Sequence, residues 1–233
     1  MSRVAIVAAL EREVRPLIKG WRISERQHDG RTYRFYEADE AVLVCGGIGP
    51  EAARRAAEAT IAIFQPAVIF SAGFAGALDS ELKVGDIVRP QRVINASDGS
   101  SVALEGGEGV LVSFSSVANP GQKARLRESF SADAVDMEAA AVARAAHAHG
   151  IEFAVVKAIS DEFAFDFPST ERFIAADGRF SEARFALFAA ARPWLWLRVL
   201  RLIRNSGRAA RTLCERLAAL GGRANVSAAT RIA

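Results

Sequence analysis

The sequence predicts an α/β fold, a three-layer α/β/α sandwich with a central mixed sheet and extra C-terminal helices. Three observations lead there. Short apolar runs rich in β-branched residues, Val4–Ala8 first among them, have the unbroken hydrophobicity of strands covered on both faces. Ala-rich helical stretches alternate with them, the pattern of a mostly parallel or mixed sheet between helix layers. The length, 233 residues, lets one core remove about 70% of the unfolded chain's surface from water, so no disulfide or metal is needed to hold it.

Taken in order, Val4–Ala8 is the first strand, and residues 11–19 start a helix that Pro16 keeps short or breaks. Arg31–Glu37 and residues 41–44 are strands joined by the acidic turn Asp39-Glu40. Gly46-Gly47-Ile48-Gly49-Pro50 turns into an Ala-rich helix over 51–64, stopped by Pro66. Residues 67–71 are a buried strand, closed by a small-residue turn, Ala72-Gly73-Phe74-Ala75-Gly76. Residues 86–94 form a strand with Pro90 marking an edge or bulge, and 95–109 a loop or frayed hairpin. Val110–Ser113 is a strand, Pro120–Phe130 a helix with Pro at its first position, and Ala134–Asp136 a short strand. A helix over 138–149 ends at Gly150, and the strand over 153–159 is broken by Ser160-Asp161. Beyond Pro168 the chain reads as helical to about residue 191, breaks at Pro193, continues as helix to about 220, and frays over 221–233.

Composition removes several classes of function. Apolar residues at 51% and charged residues at 24% exclude a disordered, collagenous or disulfide-scaffold protein. No run of 18 apolar residues is present, so a spanning helix is not expected. The apolar run at the N-terminus is short and leads into Glu11-Arg12-Glu13, unlike a signal peptide. Cys45 and Cys214 read as free thiols in a reducing cytosol. His28, His147 and His149 lack ligand spacing, so neither a metal nor a cofactor is expected. There is no GxSxG elbow, no Cys–His pair at a strand exit and no Walker sequence, and Gly47-Ile48-Gly49 is only a fragment of a glycine loop. The net charge of +3 hides a split: residues 192–233 carry nine Arg against one acid, Glu215, a balance of +8, which leaves −5 on residues 1–191.

Ligands of such sheets bind at the carboxyl ends of strands. Those exits here include Leu10–Glu13, the two glycine segments, Ser113 to Val117, Asp136-Met137-Glu138 and Ser160-Asp161, three of them acidic. Four segments, AALEREV, GGIGPEAA, SAGFAGAL followed five residues later by VGDIV, and VDMEAAAVA with KAISDEF, together resemble the nucleoside phosphorylase/nucleosidase superfamily. Within it they are most similar to 5′-methylthioadenosine/S-adenosylhomocysteine nucleosidases. The resemblance spans roughly residues 3–190. It implies a catalytic domain over 1–191, a basic helical extension over 192–233, and release of adenine from a 5′-modified adenosine in methionine salvage. It also implies a cytoplasmic homodimer.

Carried over by position, Glu13 matches the carboxylate that activates the attacking water. Met137 and Glu138 match the residues that hold the ribose. Asp161 matches the acid that protonates N7 of the purine, supported by Ser160. Gly73, Phe74 and Val117 fall at the sugar and base pocket; Glu11 and Glu162 face elsewhere, with Asp166 in reserve. Adenine leaves poorly as an anion, so an acid at N7 lowers the barrier, typically by about 10²–10⁴-fold in rate. Carboxylates beside a cation-like sugar stabilise charge that exists only in the transition state. Read without the resemblance, Glu13 and Glu138 are equally first-turn helix acids, Asp161 a cap or turn residue and Met137 core.

The pattern departs from the family in three places. Phe74 stands where the family has a small hydroxyl residue. The stretch from Asp86 to Asp136 is short, leaving Phe114, Val117 and Ala118 as the nearby candidates for stacking on the base. Extra helix surrounds Arg192-Pro193-Trp194-Leu195-Trp196-Leu197. Phosphorylases of the superfamily bind phosphate through an Arg-bearing GDPxR segment; AALEREV offers Glu13 there, which repels phosphate, so hydrolysis is the reading, with phosphorolysis as the alternative through Arg12. The short middle and Arg/Pro-rich end are also similar to the hopanoid-associated phosphorylase branch, which acts on an adenosylated lipid. A nucleoside-binding, membrane-associated protein without catalysis is a third reading. In the tail, Arg198, Arg201, Arg204, Arg208 and Arg211 share one side of a helix beside Leu195, Trp196, Val199, Leu200, Leu202 and Ile203. Over 194–216 this suits contact with the inner face of a membrane, packing on the domain, or a subunit interface. Nucleic acid is not an expected partner.

Overall fold

The computed structural model describes residues 3–166, 171–175, 178 and 180–230, without the side chains of 171 and 221–230. Its sheet grows outward from buried strands. β1 (Val4–Ala8) lies between β4 (Ala41–Cys45) and β5 (Val68–Ala77), all parallel. Beyond β4 come antiparallel β3 (Arg31–Glu37) and β2 (Arg22–His28). β5 is the branch point. Its first half pairs with β1, its far end pairs antiparallel with β10 (Ala134–Asp136), and along its other edge it pairs parallel with β11 (Glu152–Asp161). β10 continues through β9 (Val110–Ser113) and β7 (Arg92–Asn95) to β8 (Ser101–Ala103), while β6 (Ile87–Val88) pairs with β11.

Strand alternation sends side chains to two helix layers. Ala5 and Val7 meet α2 (Pro50–Phe64) and α4 (Ala139–Ala148), whose Ala53, Ala56, Ala57, Ala145 and Ala146 let the helices lie close to the sheet. Ile6 and Ala8 face the other way, onto Val14 and Ile18 of α1 (Glu11–Ile18) and Ala209, Leu213 and Leu217 of α6 (Trp196–Thr230). On that same side Leu126 of α3 (Pro120–Phe130) packs on Val112 and Val135. The mixed sheet between helix layers is thus the expected architecture.

Several local expectations are corrected. β2 was not expected, because its sequence RISERQH is polar on both faces; it is an exposed edge strand whose charges discourage further pairing. Ala72-Gly73-Phe74-Ala75-Gly76 is not a turn: β5 runs through it, held by backbone pairing to β10 and β11. The strand expected over 86–94 is two strands, since Pro90 has no N–H for the ladder. Of the two readings of residues 95–109, the hairpin holds, because β8 pairs antiparallel with β7. Ser160-Asp161 does not end β11 but lies within it, at a register shift between Ile159 and Asp161.

The helix expected after Pro168 begins only at α5 (Glu182–Ala190). Before it, a single 3₁₀ turn at Glu171–Phe173 and an antiparallel bridge from Ile174 to Phe180 fold the chain back. Phe173 packs its ring against Phe185 and Phe188, which fixes that reversal; residues 167–170, 176, 177 and 179 lie outside the described residues. The break at Pro193 is a 3₁₀ turn, Pro193–Leu195, and α6 extends to Thr230 rather than fraying from 221.

Candidate active site

Glu13 sits in the first turns of α1, immediately after β1, and is buried. Its Oε2 has no hydrogen-bond partner among the described residues. A Cβ on Gly73 would lie 2.7 Å from that oxygen, so only glycine leaves the carboxylate its place, and its φ of +146° suits glycine as well. Burial, and then the neighbouring Glu138, push the Glu13 carboxyl up to about 7. A buried carboxylate that titrates near neutrality with a free lone pair is suited to accept a proton.

Next to it lies a charged cluster that β10, β11 and α4 hold together. Asp136 ends β10; its Oδ1 accepts from Ser113 Oγ at 2.6 Å and its Oδ2 from the backbone N–H of Ala139 at 2.8 Å, so it caps α4. Lys157, buried in the apolar run of β11, places Nζ 2.8 Å from the same Oδ2. Burial alone would lower the Lys157 pKa, but Asp136, Glu138 and Glu13 outweigh it and the value is raised. Glu138 reaches away from its helix: Oε1 accepts from the Gly49 N–H at 2.9 Å and Oε2 from the Met137 N–H at 3.3 Å. Burial raises its pKa, against the pull of Lys157.

Asp161 lies across the cavity, at the bulge of β11. Ser160 Oγ donates to its Oδ1 at 2.7 Å, and Lys123 Nζ, from the first turn of α3, donates to its Oδ2 in a buried ion pair. Burial raises the Asp161 pKa, opposed by Lys123 and Ser160. The register shift sets Asp161 opposite Gly76, where a Cβ would come within 2.8 Å of Oδ2.

These groups line one cavity of about 150 Å³ at the carboxyl ends of the strands. Of the eight expected site residues, Glu13, Phe74, Val117, Met137, Glu138, Ser160 and Asp161 line it, and Gly73 stands directly behind Glu13. Ala118 is also on its wall, whereas Phe114 lines a neighbouring hollow with Met137. Glu11 turns outward to Tyr36, Glu162 pairs with Arg201 and Asp166 with Arg198. Arg12 lines the cavity, with its guanidinium over the Phe180 ring. Sequence reasoning placed Asp136 and Gly76 at strand exits without giving either a role, and missed Lys157 and Lys123. A lysine inside the apolar run VVKAIS was a usable signal, because a buried ammonium requires a buried partner. Lys123, in the polar stretch GQKARLR, gave none.

A mixed sheet between helix layers, with strand ends converging on buried carboxylates around a small cavity, defines a protein equipped for acid–base chemistry on a small ligand. The chain belongs to the phosphorylase superfamily, whose family profile matches residues 3–121 and 107–191. It is 28% identical over 199 residues to the 5′-methylthioadenosine/S-adenosylhomocysteine nucleosidase of Halalkalibacterium halodurans, covering 69% of this chain and 86% of that one. It is 25% identical over 208 residues to the aminodeoxyfutalosine nucleosidase of Campylobacter jejuni, covering 71% and 91%. Among solved structures, a mutant nucleosidase of Helicobacter pylori with 5′-methylthioadenosine in its active site superposes with a TM-score of 0.72. That superposition covers 96% of this chain and 99% of that one at 18% identity, so most of α6 lies within the shared fold. The nucleosidase of Colwellia psychrerythraea in complex with adenine gives 0.60 at 25% identity over 70% and 84%.

Proposed function

We propose that the protein hydrolyses the N-glycosidic bond of a purine nucleoside, releasing adenine from a 5′-modified adenosine of the methylthioadenosine or adenosylhomocysteine type. The observation that carries this is Glu13: a buried carboxylate with an unpartnered oxygen, in the same cavity as Asp161 and Glu138. Glu13 takes the proton of the attacking water. Met137 and Glu138 hold the ribose, with Glu138 accepting from its hydroxyls, and the Glu138 charge stabilises the cation-like sugar. Asp161, oriented by Ser160, delivers a proton to N7 as the base departs, and Phe74 and Val117 border the nucleoside. The Glu13 carboxylate stands where a phosphate would bind and repels it, which favours water as nucleophile. Residues 1–191 carry these groups; Ala209, Leu213 and Leu217 of α6 complete a helix layer against the sheet.

The test is a panel of adenosines with different 5′ groups, with and without phosphate, read by chromatography. Free adenine and free sugar are expected without phosphate; a sugar 1-phosphate formed only with phosphate overturns hydrolysis. Asp161→Asn is expected to lower adenine release at least about 100-fold, and full turnover would remove Asp161 from the acid's place.

One observation favours a second reading of the 5′ group. Leu187, Trp194, Trp196, Leu197, Leu200 and Ile203 are each more than half exposed. Leu197, Arg198 and Arg201 also share a cleft with Glu162, Phe165 and Asp166, just beyond Asp161. An adenosine bearing a lipid, presented at an anionic membrane surface, fits a site beside such a patch. No helix of the described residues is long and apolar enough to cross a membrane, so the contact proposed is peripheral, from the cytoplasmic side. Hydrolysis of a lipid-linked adenosine in vesicles, faster than that of methylthioadenosine, would select this reading. As in the resemblance, a homodimer is proposed, to be checked by sedimentation.

A further inference from the structure

Lys123 has no assigned part in this chemistry, yet it is only 1% exposed and sits on the acid itself. Its ammonium gives one N–H to Asp161 Oδ2 and one to the backbone carbonyl of Glu162, and its side chain reaches the cavity wall. An ammonium carries three donors. The local backbone is shaped around the contact: α3 starts with a reciprocal cap between Asn119 and Gln122, which fixes the turn bearing Lys123. At Gly76 a Cβ would meet both Asp161 Oδ2, at 2.8 Å, and Lys123 Cε, at 3.3 Å.

Both oxygens of Asp161 thus accept from donors, which favours the carboxylate against the burial that raises its pKa. Whenever Asp161 is in the carboxylate form, the proton for the leaving base has to come from a neighbour, and the Lys123 ammonium touches it. We propose that Lys123 is that source, a positioning residue acting through Asp161, so that the working acid is the Lys123–Asp161 pair. This rests on the nucleosidase reading above.

The step balances. A proton moves from Nζ to the Asp161 carboxylate, turning ammonium and carboxylate into amine and carboxylic acid with no change in net charge. Asp161 passes a proton to the ring nitrogen as the bond from the sugar carbon to the base breaks, its electron pair staying on the base. Water adds to the sugar carbon and loses a proton to Glu13. Solvent then takes the Glu13 proton and restores the one on Lys123, so nucleoside and water have become base and free sugar. The groups that Nζ contacts are Asp161 Oδ2 and the Glu162 carbonyl, while Ser160 donates to the other oxygen of Asp161. The remaining charges around the cavity are Glu13, Arg12, Glu138 and the Asp136–Lys157 pair, with Arg201 on the Glu162 carboxylate behind.

The experiment uses Lys123→Gln, which keeps a hydrogen-bond donor, and Lys123→Arg, which keeps the charge. Neither can release a proton at working pH. Each is assayed on methylthioadenosine and on the same sugar carrying 4-nitrophenolate, a leaving group that departs without protonation. Adenine release is expected to fall at least about 100-fold in both variants, while 4-nitrophenolate release stays within about threefold of the unmodified protein. Adenine release within about tenfold of normal in either variant overturns the proposal, since charge or hydrogen bonding would then suffice. Equal loss on both substrates also overturns it, as the mark of a structural residue. Absence of adenine release by the unmodified protein would instead sink the nucleosidase reading.

Discussion

Glu13 gains a proton-accepting lone pair at a cost to the fold that pH exposes. Its carboxyl is raised from 4.5 to about 7 by burial and by Glu138. Between those values the folded chain keeps a proton that the unfolded chain has lost, so stability falls as pH rises through that window. Above about pH 7 the whole penalty is present, on the order of 3 kcal/mol at about 1.4 kcal/mol per unit. Glu13→Gln removes it. The Tm of the variant is expected to exceed that of the unmodified protein at pH 8 by several degrees, with the gap closing towards pH 5; a constant gap in thermal melts would mean that Glu13 does not titrate. The same group sets activity in the opposite sense. Only the ionised form accepts a proton, so kcat/KM is expected to rise with pH through about 7, and Glu13→Gln to lose that limb together with the activity.

At the scale of elements, the site depends on how β10, β11 and α4 are tied together. Asp136 holds the Lys157 ammonium, the Ser113 hydroxyl and the first N–H of α4 at once. Asp136→Asn keeps the shape but leaves Lys157 without its counter-charge. Breaking a buried pair in this way costs about 3–5 kcal/mol, to be read as a lower denaturation midpoint with an unchanged m-value; a loss under about 1 kcal/mol would show that Glu138 and Glu13 suffice to hold Lys157. This tie was invisible in the sequence, where VDMEAAA and KAISD are separate segments brought together only by their pairings with β5. The elements themselves were legible where one force dominated: β1, α2, α3 and β10 follow from apolar runs, Ala content and prolines. Legibility failed where tertiary pairing overrode local preference. The glycines of β5 look like a turn, but they are small because carboxylates lie against them, and β2 has no hydrophobic signal because both its faces meet water. Glu13, Glu138 and Asp161 were assigned through the family resemblance that their motifs carry. Lys123 was not, since a lysine in a polar helix looks the same whether it points to water or to a buried acid.

At the scale of the whole molecule, the charge split between body and tail does not coincide with a structural boundary. α6 divides within itself. Its later part, with Ala209, Leu213 and Leu217, belongs to the layer that covers Ile6 and Ala8, so this stretch of the basic segment packs into the core. Its first turns leave Trp196, Leu197, Leu200 and Ile203 facing outward, beside the exposed Arg198, Arg201 and Arg204. Apolar side chains with aromatic and Arg neighbours bind an anionic surface by burial plus attraction, and the attraction weakens with salt. The two parts of one helix should therefore answer to different measurements. Leu213→Ala is expected to cost about 2–5 kcal/mol of stability and to leave vesicle binding of the folded protein intact. Leu200→Glu with Ile203→Glu is expected to leave stability and hydrolysis of methylthioadenosine unchanged, while co-sedimentation with vesicles containing phosphatidylglycerol falls at least about tenfold. Vesicle binding that is unaffected by that double substitution, or insensitive to salt, would mean that the exposed turns of α6 serve a contact other than a membrane surface.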